Sequence, residues 1–164
     1  MQKTAVEYLT KYRQFEARDF GCIVTIVTTD FEAMYAYKRG DYQRCLQLST
    51  QNVHTMLYAG YTHVPTFPEF IQLLDDDIVS LTALTLIINP RCRIVDYFNV
   101  CISQLTLSLY LMTQCQLKLH HSVMSLAQTL DYINIVQKKH LLEHTLDQLT
   151  LKLIERKVFL TICN

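Results

Sequence analysis

The stretch Tyr37-Lys38-Arg39-Gly40-Asp41-Tyr42 separates two segments whose apolar residues recur at helical spacing. Glycine takes the positive φ that ends a helix at little cost, and aspartate accepts hydrogen bonds from the free N–H groups that begin the next one. The turn therefore predicts a helical hairpin. Its first helix covers residues 31–39 behind Thr29 or Asp30 as cap, and its second carries Tyr42, Cys45, Leu46, Leu48, Val53 and Met56.

Composition extends this reading to the whole chain. Only 3 Gly and 3 Pro occur in 164 residues, against a combined average of about 12%, so the tight turns a sheet protein needs are scarce and the fold class is all-α. Half of the residues are hydrophobic and 18% are charged, which suits a packed domain and not a disordered segment. Fifteen Lys and Arg balance fifteen Asp and Glu, leaving no net field to attract nucleic acid or an anionic membrane. The longest strongly apolar run, residues 78–88, is about half the roughly 20 residues needed to cross a bilayer. The six cysteines are scattered, mostly in apolar segments, and no basic region followed by an apolar stretch opens the chain. A reducing, cytoplasmic setting with free buried thiols is expected.

Along the chain, Thr4 caps a first helix over residues 4–17, while the β-branched run at 19–27 suits a strand or a short helix equally. Gly60 and Pro65 mark residues 58–66 as a loop or hinge between two lobes, 1–57 and 67–164, of one compact domain. Thr66 then caps a short helix reaching Leu74. Asp75-Asp76-Asp77 places carboxylates at the start of a helix over 78–88, which Asn89-Pro90 stops, and 91–99 reads as a loop. Over 101–120, Leu105, Leu107, Leu109 and Leu111 alternate like a strand, yet Ile102, Leu105, Leu109 and Met112 share one helical face; length decides for helix. Val123, Leu126, Ala127, Leu130, Ile133 and Val136 form a stripe behind Ser122, and Leu142, Leu146, Leu149, Leu153 and Leu160 form another. The expected architecture is a set of antiparallel helical hairpins.

The Ala36-Tyr37-Lys38-Arg39-Gly40-Asp41-Tyr42 stretch resembles the inter-helix turn of a tetratricopeptide repeat, and the likeness covers about one repeat, residues 29–57. Ala33 stands where that family places a small residue, while Cys45 and Asn52 replace alanines of the second helix. Phe15 to Ile26 can be laid over Tyr37 to Leu48, but the offset of about 22 residues departs from the family period of about 34, so a strict tandem array is not expected. The resemblance implies a right-handed, repeat-like stack of hairpins that binds a peptide or helix along a concave face, as a scaffold without catalysis. It places Asp30, Met34, Tyr37 and Lys38 toward the groove, with ordinary core packing as the alternative for Met34 and Tyr37.

One string suggests catalysis. His140-Leu141-Leu142-Glu143-His144 matches the His-x-x-Glu-His pattern of inverted zincins, in which two histidines four apart hold zinc beside a carboxylate base. A third ligand is needed, and Asp147 and Glu155 lie too close in sequence to match that pattern. A zinc-dependent hydrolase built on His140, Glu143 and His144 is thus the alternative to an interaction module. His120-His121, with Cys115 upstream, lacks a Cys-x-x-Cys pair and reads as a helix end. Arg39-Gly40-Asp41 is explained by turn geometry and not as an adhesion signal, and Asp75-Asp76-Asp77 lacks the Gly and distal Glu of a calcium loop.

The sequence therefore predicts a non-enzymatic scaffold without cofactor that binds a protein or peptide. Leu149, Leu151, Leu153, Ile154, Val158, Phe159, Leu160 and Ile162 put apolar residues on more than one face of the last helix, and an uncovered apolar face predicts a partner. That partner is a further helix of a longer repeat protein, a second copy joined through the C-terminal helix, or another protein. Structural self-association is the third functional reading.

Overall fold

A computed structural model describes residues 21–59, 65–66, 76–88, 101–138 and 144–163. Its helices are α1 (Gly21–Lys38), α2 (Tyr42–Ala59), α3 (Asp76–Ile88), α4 (Gln104–Lys118), α5 (Val123–Lys138) and α6 (Thr145–Ile162). Two short strands, β1 (Pro65–Thr66) and β2 (Ile102–Ser103), pair antiparallel, with Pro65 opposite Ser103 and Thr66 opposite Ile102. The fold is all-α. No helix among the described residues is long and apolar enough to cross a membrane.

The α1–α2 connection is built as its residues dictate. Gly40 sits at φ 77°, its N–H bonds to Tyr37 O at 3.0 Å, and the Asp41 N–H bonds to Ala36 O at 3.0 Å. This is the Schellman arrangement, which satisfies carbonyls that the end of the helix leaves over. Asp41 Oδ1 then accepts from Arg44 N at 3.2 Å and caps α2.

The same backbone solution recurs after α4 without a glycine. His120 holds φ 52°, its N–H reaches Leu117 O at 3.3 Å, and the His121 N–H reaches Gln116 O at 2.9 Å. Ser122 accepts from Ser125 N at 3.4 Å and starts α5. His120 and His121 are helix-end residues, as expected, and His120 also carries the left-handed conformation that Gly40 carries in the first hairpin.

Helix α4 is the centre of the molecule. Every residue over 101–116 is buried, because the α1–α2 hairpin packs on one side of α4 while α5 and α6 pack elsewhere around it. A helix enclosed on all sides has no polar stripe to keep. This explains why Leu105, Leu107, Leu109 and Leu111 alternate like a strand: all four are buried in the core, and spacing no longer reports a single face. Helix α3 packs against α6, and a Lys157–Asp77 ion pair ties the two.

Three expectations change. The ambiguous run at 19–27 is helical from Gly21, and α1 continues unbroken to Lys38, so neither Thr29 nor Asp30 starts a helix. Thr28 shows how the β-branched run is accommodated, its hydroxyl donating to Val24 O at 2.8 Å within the helix. In α6 the inward face is Leu146, Asp147, Thr150, Leu151, Ile154 and Val158; Leu149 and Leu153 are half-buried and Leu160 is exposed. Asp147 sets that rotation: its Oδ1 accepts from Ser103 N at 2.8 Å and from Ser103 Oγ at 3.1 Å. In α5, Val123 is exposed whereas Leu126, Ile133 and Val136 are buried.

Tyr58 and Ala59 still belong to α2, and Pro65 and Thr66 belong to β1, so regular structure enters both ends of the stretch read as a hinge. Helix 4–17, the helix from Thr66 to Leu74 beyond its first residue, the loop at 91–99 and Leu142 lie outside the described residues.

Candidate interaction surface

Helix α3 carries large apolar residues on its outer side as well as its inner one. Its buried residues are Ile78, Thr82 and Thr85, at spacings of four and three. The other side carries Val79, Ala83, Leu84, Ile87 and Ile88, all exposed; Leu84 is 41% exposed, Ile87 66% and Ile88 56%. Ile78 is buried and Leu81 and Leu86 pack partly against the core, yet Leu84, Ile87 and Ile88 face outward while Thr82 and Thr85 face in.

The inward threonines are tolerated because each hydroxyl is satisfied inside its own helix. Thr82 Oγ1 donates to Ile78 O at 2.8 Å and Thr85 Oγ1 to Leu81 O at 2.9 Å, so neither presents an orphan donor to the core. Asp76 and Asp77 lie in the first turn of α3, where carboxylates complement the helix dipole. The C-terminal turns of α6 add a second exposed apolar group, Phe159 and Leu160.

The positions that the repeat resemblance sends to a groove divide. Asp30 is 1% exposed and accepts the Ser108 hydroxyl at 2.5 Å, so it faces α4 and no open groove. Burial pushes its carboxyl up to about 7, against opposing pulls from Ser108 and Asn52. Met34 is in the core, which is the packing alternative. Tyr37 is half-buried and meets Tyr42 edge-on at 5.7 Å, and Lys38 is exposed. Neither Asp30 nor Met34 is accessible to a partner, because α1 turns that face onto its neighbours.

Other polar groups stabilise the packing. Asn52 Nδ2 donates to Ile26 O at 2.9 Å, joining α2 to α1. Tyr132 on α5 bonds His54 on α2 through its hydroxyl at 2.9 Å, and the His54 ring stacks on Tyr58, which is 83% exposed. Burial raises the Tyr132 hydroxyl, with Tyr58 adding to the shift, so it is a poor source of phenolate.

Of the His-x-x-Glu-His string, only His144 is among the described residues, where it stands at the N-cap of α6 without a side-chain cap hydrogen bond. His140 and Glu143 lie outside them. Asp147 is bound to Ser103, and Glu155 accepts from Gln137 Nε2 at 2.9 Å. No group of three His, Cys, Asp or Glu side chains among the described residues could hold a metal ion.

Sequence reasoning missed the outward face of α3. The available signal was Thr82 and Thr85 at the spacing of a face, with Leu84, Ile87 and Ile88 on the other. No protein family, curated protein or solved structure matches this chain.

Proposed function

We propose that this protein is a non-enzymatic helical interaction module whose partner, a protein or peptide, docks on the outer face of α3. The observation that carries this reading is the exposure of Leu84, Ile87 and Ile88 on a helix that buries Thr82 and Thr85. Contiguous exposed apolar side chains are costly in water, and such faces mark interaction sites. An apolar helix face at i, i+3, i+4 spacing suits groove-type or helix-to-helix docking. The turns at Gly40 and His120 each reverse the chain between successive helices, in keeping with a scaffold of helical hairpins.

The test compares affinity capture by the intact chain, by a Leu84→Glu/Ile87→Glu variant and by a Tyr37→Ala/Lys38→Ala variant, each first checked by circular dichroism for retained helix. A specific partner lost by the α3 variant and kept by the Tyr37/Lys38 variant supports the reading. Equal capture by all three removes α3 as the docking face.

A further inference from the structure

The exposed apolar side of α3 does not end at that helix. Residues 77, 81, 84 and 88 recur at helical spacing and share one flank of α3, and Asp77 turns that flank toward α6 through its ion pair with Lys157. On α6 the flank that carries Lys157 also carries Leu149, Leu153 and Leu160, the first two half-buried and the last exposed. Two helices packed side by side leave a furrow between them, and both flanks of this one are apolar.

The α6 rim of the furrow is basic. Lys152 and Arg156 stand one turn apart and are both exposed, and each of the three leucines lies three or four residues from one of them. The other charged side chains of α6 are engaged: Asp147 with Ser103, Glu155 with Gln137 of α5, and Lys157 with Asp77. Lys152 and Arg156 meet no carboxylate among the described residues.

We propose that the partner of this surface is an acidic amphipathic helix that lays its apolar stripe along the α3–α6 furrow and sets carboxylates against Lys152 and Arg156. The proposal rests on α3 as the docking face and adds its second wall and the charge of what docks there. Apolar contact supplies affinity, while the two cations select an acidic helix and fix its register. A second copy of the chain is a poorer match. The described parts of α3 and α6 expose one carboxylate outside any ion pair, Asp76, against these two cations.

Fluorescence anisotropy of the intact chain with three labelled helical peptides tests this. Each peptide has about 18 residues, the length of α6, and the same leucine stripe; the flanking residues are Glu, Gln or Lys. The Glu peptide is expected to bind about tenfold tighter than the Gln peptide at low salt, the Lys peptide weakest, with the difference shrinking as salt is added. Lys152→Glu/Arg156→Glu should reverse that order. Leu84→Ser/Ile88→Ser leaves the charges alone and should weaken all three peptides alike; circular dichroism checks that both variants keep their helix. Equal binding of the Glu and Gln peptides, or a preference for Glu that survives the α6 variant, overturns the acidic partner. In that case loss of binding in Leu84→Ser/Ile88→Ser still leaves α3 as the docking face. No binding of the Glu peptide at up to about 1 mM also overturns the proposal. So does a concentration-dependent dimer abolished by Leu84→Ser/Ile88→Ser, or binding to phosphatidylserine vesicles lost in Lys152→Glu/Arg156→Glu, since these assign the surface to a second copy or to a membrane.

Discussion

Asp30 on α1 accepts the hydroxyl hydrogen of Ser108 on α4 at 2.5 Å, and both residues are shut away from water. Its other carboxylate oxygen, Oδ2, has no hydrogen-bond partner in the structure. The desolvation of the charged form outweighs the pulls of Ser108 and Asn52 that favour it, and the carboxyl is pushed up to about 7.

The pH dependence of stability follows from that shift. Between the unfolded value near 3.8 and the folded value near 7, the native state holds a proton that the unfolded state has released, so stability falls as pH rises. It is fully present below about 4 and lost progressively up to about 7. Asp30→Asn removes this dependence and should gain on wild type by up to about 4 kcal/mol from pH 4 to pH 7.5. Urea unfolding of both proteins across that range checks it; a difference independent of pH would show that Asp30 does not titrate this way.

The two hairpin turns make opposite predictions. Gly40→Ala meets no atom within 4 Å and should fail only through its positive φ, costing about 1 kcal/mol. His120→Gly relieves the same strain at φ 52° and should gain up to about 1 kcal/mol. Thermal unfolding of the pair decides: a stabilising Gly40→Ala or a strongly destabilising His120→Gly contradicts the capping account.

Within α3, position relative to the core should matter more than hydrophobicity. Ile78→Ala opens a cavity and should cost about 2–5 kcal/mol. Leu84→Ser and Ile87→Ser touch exposed side chains and should stay within about 0.5 kcal/mol of wild type. Denaturant midpoints measure all three, and outward variants as damaging as Ile78→Ala would mean that the chain covers this face itself.

Ser103 serves two elements at once. Its hydroxyl accepts from Thr106 N at 3.2 Å at the start of α4 and donates to Asp147 on α6. Ser103→Ala should cost about 1–3 kcal/mol through the lost cap and the less satisfied carboxylate. Asp147 is also held above the ordinary carboxylate range by burial, so the loss should be larger at neutral than at acid pH. A cost that is the same at both would assign it to the cap alone.

Local chemistry was legible wherever neighbours in sequence decide the outcome. The Gly40-Asp41 turn, the Ser122 start of α5 and the helical state of α4 all follow from capping, φ preference and length. The left-handed turn at His120 was harder to read, because histidine takes that conformation only as a minority state and nothing adjacent announces it. The role of Thr29 and Asp30 was misread for a related reason: both suit helix caps, and only the presence of Ser108 across the core gives Asp30 a partner inside the helix.

The sequence by itself determined that this protein is helical and where its first hairpin turn falls, since those outcomes depend on a few consecutive residues. Tertiary structure alone decided which faces are core. It enclosed α4, turned Asp147 of α6 inward onto Ser103, and left Leu84, Ile87 and Ile88 outside while Thr82 and Thr85 went in. The physical reason is that a hydrogen bond to a distant residue, or within one's own helix, can satisfy a polar side chain that composition would place at the surface. Which faces are left for a partner is therefore settled by packing between elements far apart in the chain.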